Sequence, residues 1–264
     1  MVLVFWIYCS LSVSLVPARV LPVSLPNSSV PGIRLRADSK PILCYVTDRR
    51  NLPVAPQLDL IRPLLERVAA IAAAGVDWIQ IREKDLSGKQ TASLVRQALD
   101  HVSKQGSHSK SATRILVNDR LDVALAEQAG GVHLGENSLP VDEAKRLLKS
   151  SPAAQTPDND FIFGVSCHSP EAAKSAASSG ADYIFFGPVF ATPSKAAYGA
   201  PQGLDRLAQV CSSVNIPVLA IGGITLANVS SCFSAGASGI AAIRLFQDSA
   251  DPAGLICAIR SQNF

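Results

Sequence analysis

Gln80, Arg82 and Lys84 fall at every second position of the segment "WIQIREKDL", residues 78–86. In a strand, alternate side chains share a face, so one amide donor and two cations would line one side while Ile79 and Ile81 take the other. A buried strand gains from such a row only where it meets an anion. Similar chemistry recurs elsewhere. "GPVFATPSK" offers Thr192, Ser194 and Lys195, "VND" offers Asn118 beside Asp119, "GVSCHS" offers Ser166 and His168, and a glycine pair stands at 222–223. A glycine pair that leads into a helix exposes backbone N–H groups to an anion. Asp119 has a use among these cations if it holds Mg2+, which commonly bridges carboxylate and phosphate oxygens. The set suggests two phosphorylated ligands, one of them a diphosphate. Each feature alone has a plainer reading: a solvated rim cation, a helix N-cap at Asn118-Asp119, a tight turn at Gly222-Gly223.

The elements that must position these residues follow from an internal repeat. "AAGVDWIQIR", "QAGGVHLG", "SSGADYIFFG" and "SAGASGIAAIR" share an Ala-rich helical end, a glycine (Gly75, Gly130, Gly180, Gly236) and a short apolar strand. Each glycine suits the left-handed residue that ends a helix. The glycines lie roughly 50 to 56 residues apart, and one βα unit needs roughly 30 or fewer, so a second unit belongs inside each interval. "PILCYVT", "RILVND", "FIFGVS" and "IPVLAIGG" supply it. Helical patterns are expected at 57–73, 87–104, 121–128, 140–149, 170–179, 203–213, 226–235 and 251–261, with Ser169-Pro170-Glu171 and Thr225 as start signals. Near-continuous apolar strands imply a sheet covered on both faces. The expected fold is α/β, a single-domain (β/α)8 TIM barrel over 41–264, with a doubly wound open sheet as the alternative. In such a barrel the strand C-termini carry the site, and a phosphate site follows strands 7 and 8. Six strand ends then bring their polar residues to one rim.

Composition excludes several classes. The 264 residues hold 48% hydrophobic residues, enough for a large core, and a net charge of +3, too mild for a nucleic-acid surface. Cys9, Cys44, Cys167, Cys211, Cys232 and Cys257 form no CxxC pair and read as reduced, isolated thiols in a cytoplasmic protein. The four histidines lack metal-ligand spacing. Residues 1–40, apolar and then Pro- and Ser-rich, read as a disordered leader or a misassigned start. A signal peptide or membrane anchor is the competing reading, but the apolar run has no basic n-region and is shorter than the roughly 20 residues that span a bilayer. No stable membrane association is expected.

Taken together and in order, "QIREK", "VNDR", "GVHLGE", "GVSCHS", "GPVFATPSK" and "IGGIT" resemble the thiamine phosphate synthase family and its thiazole tautomerase relatives over about 41–246. The resemblance implies that Gln80, Ile81, Arg82, Glu83 and Lys84 bind a pyrimidine diphosphate, with Arg82 and Lys84 on the diphosphate. Asn118, Ser166 and Lys195 would add contacts, and Asp119 would ligate Mg2+. Thr192, Pro193, Ser194 and Gly223, with the backbone near Ile243, would hold a thiazole phosphate. The implied reaction joins the two substrates through a pyrimidine-stabilised carbocation and releases diphosphate, with Arg82, Lys84 and Lys195 stabilising the departing charge.

Two positions depart from the family pattern. After strand 4 the usual Gln and metal-binding Asp positions hold Glu136 and Ser138, so Glu136 is the candidate to replace the second carboxylate and Ser138 a candidate cap for the next helix. After strand 8 the usual Ser is Arg244, which suits a phosphate. Two other readings stay open. A tautomerase would use His168 as a proton shuttle and needs no metal, and a non-catalytic thiazole or thiamine phosphate binder needs neither. The partners implied are small phosphorylated molecules, and self-association stays open.

Overall fold

The computed structural model describes residues 40–53, 59–105, 113–150, 160–192 and 200–262. The reading of residues 1–39 as a leader therefore lies outside the described residues. Eight parallel strands close into a barrel in sequence order. They are β1 (Ile42–Val46), β2 (Trp78–Ile81), β3 (Arg114–Asn118), β4 (Gly131–Leu134), β5 (Ile162–Cys167), β6 (Tyr183–Phe186), β7 (Val218–Ile221) and β8 (Gly239–Ala242). The helices between them are α1 (Ile61–Ala73), α2 (Gly88–Gln105), α3 (Leu121–Ala126), α4 (Val141–Ser150), α5 (Pro170–Ser178), α6 (Gly203–Ser213) and α7 (Val229–Ser234). Two helices, α8 (Arg244–Gln247) and α9 (Pro252–Arg260), follow β8. The (β/α)8 expectation holds, and β1 pairs with β8, which excludes the open sheet.

Packing explains why these segments take these forms. In α1, Leu64, Leu65, Val68 and Ile71 are buried at helical spacing, and each contributes roughly 1.5–3 kcal/mol relative to exposure. On β2, Ile79 and Ile81 join this outer core between sheet and helices. Trp78 faces the barrel interior with Ile42, Cys44, Val46, Leu116, Ile162, Tyr183, Phe185, Leu219 and Ala241. Period-2 alternation therefore puts Gln80 inside as well. Gly164 gives the Tyr183 ring its place in the interior, since a Cβ there would stand 2.0 Å from that ring.

Several local expectations need correction. Gly75, Gly180 and Gly236 have φ near +90°, but Gly130 does not, and Gln128 (φ 54°) takes the left-handed turn in that repeat. Thr225 does not cap α7. The N-cap is Asn228, whose Oδ1 accepts from the Thr225 N–H at 2.8 Å. Ser169 does cap α5, accepting from the Ala172 N–H at 3.1 Å. Helix α8 and a 3-10 turn at Arg49–Asn51 are additions. Strand β2 ends at Ile81, so Lys84 stands on the following turn rather than on the strand. Cys44, Cys167, Cys211, Cys232 and Cys257 are free thiols, with Cys257 exposed. Among the described residues, no helix is long and apolar enough to cross a membrane.

Candidate active site

The ends of β1 and β2 are joined by one buried hydroxyl. Thr47 Oγ1 donates to Glu83 Oε1 at 2.7 Å and accepts from the Arg82 N–H at 2.9 Å. Glu83 also accepts from the Arg49 N–H and from Arg49 Nη1 at 2.9 Å. Arg49 pairs further with Asp85, and Arg50 Nη2 meets Asp85 at 2.7 Å. These contacts hold the Arg49 guanidinium charged and the Asp85 carboxyl well below the usual carboxylate range. The carboxylate of Glu83 is thus committed to Arg49 and Thr47, and the Ile81 side chain to the outer core. Arg82, half-buried, and Lys84, exposed, form no ion pair with a described residue. The two cations singled out by spacing are the ones this network leaves uncompensated.

At the ends of β3 and β4, Gln80 Nε2 donates to Asn118 Oδ1 at 3.0 Å, joining β2 to β3 inside the barrel. Asp119 holds a left-handed conformation (φ 63°), which Asp tolerates better than most residues. Its N–H bonds the His133 carbonyl at 2.8 Å. Asp119 does not cap α3, whose N-cap is Arg120. Instead its Oδ1 accepts from the Gly135 N–H at 3.3 Å and from the Ser138 hydroxyl. Ser138 Oγ in turn accepts from the Gly135 N–H at 2.8 Å, so Ser138 braces Asp119 where the family pattern has a second carboxylate. Glu136 follows Gly135 directly and is exposed.

Deeper in the barrel, His133 lies 4.1 Å from Phe185 between ring centroids. Its Nε2 stands 2.9 Å from Ser166 Oγ and its Nδ1 3.1 Å from the Tyr183 hydroxyl. Burial pushes the imidazole down to about 3. A Ser–His contact is the outline of an activated nucleophile, but this histidine is too weak a base and faces a phenol where a carboxylate would orient it. The Cys167 thiol is pushed up to about 12 by burial, so it is no thiolate either. His168, half-buried, bonds the Gly187 carbonyl through Nδ1. A carbonyl only accepts, so Nδ1 carries a proton and Nε2 is left clear of that contact.

On the far side, Thr192 follows β6, while Pro193, Ser194 and Lys195 lie outside the described residues. Gly222 (φ 95°) and Gly223 (φ 66°) fold against that loop. A Cβ on Gly223 would stand 2.6 Å from the Ala191 carbonyl and 2.7 Å from Phe190 Cβ, so only glycine lets β7 and the β6 loop approach. Ile243 is the N-cap of α8, and Arg244, its first residue, is exposed and forms no ion pair with a described residue.

Among the described residues the rim therefore offers uncompensated cations, hydrogen-bond donors and a braced carboxylate, and no activated nucleophile. No three His, Cys, Asp or Glu side chains among the described residues are grouped so that they could hold a metal ion. Asp119 retains Oδ2, and Glu136 is unengaged on the next strand end. Carboxylate oxygens are hard donors of the kind Mg2+ takes, alongside waters and substrate phosphates. Thr47 and His133 stand at strand ends in the sequence but carry no assigned role there, and Tyr183 is not singled out at all. The signal for His133 was present, an ionisable residue at an inward position of an apolar strand. Thr47 and Tyr183 carried none, because their partners lie 36 and 50 residues away.

The family described as thiamine monophosphate synthase matches residues 51–246. A thiamine-phosphate synthase of Chlorobium phaeobacteroides is 40% identical over 84% of this chain and 95% of its own length. That of Chlorobium limicola is 38% identical over 81% of this chain and 90% of its own. Among solved structures, the thiamine phosphate pyrophosphorylase from Pyrococcus furiosus superposes with a TM-score of 0.66 at 29% identity, covering 82% of this chain and 94% of that one. By the match to its sequence and the agreement of its barrel, this chain belongs to the thiamine monophosphate synthase family.

Proposed function

We propose that this barrel joins a hydroxymethylpyrimidine diphosphate to a thiazole phosphate, forming thiamine phosphate and releasing diphosphate. The observation that carries the reading is the pairing pattern at the β2 end. Arg49 is neutralised by Glu83 and Asp85, while Arg82 and Lys84 beside it are left with their charge for a ligand.

Arg82 and Lys84, with Lys195 from the β6 loop, would hold the diphosphate and favour its departure as the carbon–oxygen bond breaks. The electron pair leaves with diphosphate, and the thiazole nitrogen then donates its lone pair to the pyrimidine methylene carbon. Asn118 is turned by Gln80 so that its oxygen is occupied and its amide N–H groups are free to donate. Ser166 adds a hydroxyl. Asp119 and Glu136 would hold Mg2+, which supplies charge compensation for diphosphate when bound. Thr192, Ser194, Gly223, Ile243 and Arg244 would receive the thiazole phosphate at the β6, β7 and β8 ends of the same rim. Arg244 would add a charge where the family pattern has serine. The apolar floor beneath, with Phe185 and Val46 buried, limits water that would quench a cation.

A second reading has one observation in its favour. With Nδ1 donating to Gly187, His168 has its Nε2 free of that bond, as a proton shuttle between thiazole tautomers would need. That reaction has no use for Arg82 and Lys84. The test is to supply the full chain with both phosphorylated substrates and Mg2+ and follow thiamine phosphate. Formation of product, abolished by chelating the metal and unchanged in rate-limiting chemistry by His168→Ala, is expected. Thiazole carboxylate tautomerisation without thiamine phosphate, lost in His168→Ala, would replace the proposal with the second reading.

A further inference from the structure

Tyr183, His133 and Ser166 form a hydrogen-bonded chain across β6, β4 and β5, from the buried floor of the barrel to its mouth. The distances, 3.1 Å and 2.9 Å, do not say which way the protons run. A neutral imidazole has one N–H and one lone pair, so only two directions exist. In the first, Ser166 donates to Nε2, Nδ1–H donates to Tyr183, and the phenol proton has no acceptor. Tyr183 is completely buried, and His133 is its only hydrogen-bond partner among the described residues. An orphaned donor there is strongly unfavourable. In the second direction every buried group is satisfied: Tyr183 donates to Nδ1 and Nε2–H donates to Ser166. A doubly protonated ring fits neither end. It would be a buried charge with no carboxylate bonded to it, and it would again orphan the phenol proton.

The second direction has a consequence at the mouth. Ser166 accepts the hydrogen bond from His133 Nε2–H, so its own O–H is left to point at a ligand. A hydroxyl facing phosphate oxygens attracts them only as a donor. We propose that Tyr183 and His133 are positioning residues that set Ser166 as a hydrogen-bond donor to the anion at the barrel mouth. This rests on the reading of that mouth as a diphosphate site. The device is preorganised, because the Tyr183 ring is fixed at 4.6 Å from Trp78 and lies over Gly164, so removing its hydroxyl leaves its packing in place.

The test uses the full chain and inorganic diphosphate as the probe. Histidine-labelled protein should show His133, identified by its loss in His133→Asn, as the Nε2–H tautomer, and Tyr183→Phe should abolish that preference. A His133 signal of the Nδ1–H tautomer overturns the proposal whatever the protein catalyses. Diphosphate binding should weaken about tenfold in Tyr183→Phe and in Ser166→Ala, as for one lost hydrogen bond to a charged group. The double variant should bind as Ser166→Ala does, because Tyr183 acts only through Ser166. Additive losses, or unchanged binding in Tyr183→Phe, overturn the relay. Diphosphate binding that follows this pattern in a protein that makes no thiamine phosphate would retain the relay and refute the proposed reaction instead.

Discussion

Arg49 sits against two carboxylates, and Arg82, on the neighbouring strand end, sits against none. Acidic residues neutralise one arginine and not the other, which separates a structural cation from the one proposed to meet a ligand. Lys84 is exposed and makes no described contact that its removal could break. Lys84→Ala should therefore change unfolding free energy by no more than about 0.5 kcal/mol, as read by urea titration. It should lower kcat/KM roughly a hundredfold if the side chain meets the departing charge. His133 gives a pH prediction. Its ordinary value is 6.5, and burial moves it to about 3 in the folded chain. Between those values the unfolded chain binds more protons. Stability from this group is complete above pH 6.5 and falls as the pH drops, by roughly 1.4 kcal/mol per pH unit. Urea midpoints measured from pH 7 to 4 should show this slope in the wild type, reduced in His133→Gln.

At the scale of elements, the β7–β6 contact is the sharpest constraint. Gly223→Ala puts a methyl group 2.6 Å from the Ala191 carbonyl at a φ of 66°. It should destabilise the fold by about 1–3 kcal/mol, measured by thermal unfolding, and raise KM for the thiazole phosphate. The eight strands and the main helices were legible because each half-repeat carries a helix with an apolar stripe and a short apolar strand of fixed polarity. Helix α8 was not legible. "IAAIRLFQ" continues the apolar run of β8, and what ends the strand is tertiary: Gln247, buried, accepts from the Tyr45 hydroxyl at 2.8 Å and donates to the Asp48 carbonyl. The end of β2 was misplaced for a similar reason. Alternation carried on through Arg82 to Lys84 in sequence, but Thr47 takes the Arg82 N–H and the chain turns away. Asp119 was legible as a site residue by type. Its brace, the Ser138 hydroxyl, looked in sequence like the loss of a metal ligand.

At the scale of the whole molecule, barrel closure gathers the two proposed anion sites around one mouth, on separate strand ends. Asn118 and Ser166 stand on β3 and β5 and Arg82 and Lys84 follow β2, while Gly223, Ile243 and Arg244 follow β7 and β8. The proposed reaction needs that separation, since each substrate brings its own phosphate and the two rings must meet between them. Removing charge from one edge should therefore spare the substrate of the other. The most direct measurement is the KM of each substrate in Arg82→Ala and in Arg244→Ala. Arg82→Ala should raise KM for the pyrimidine diphosphate about tenfold or more and leave that for the thiazole phosphate within about twofold, and Arg244→Ala should do the reverse. Equal losses for both substrates in Arg82→Ala would contradict the assignment of that edge to the diphosphate.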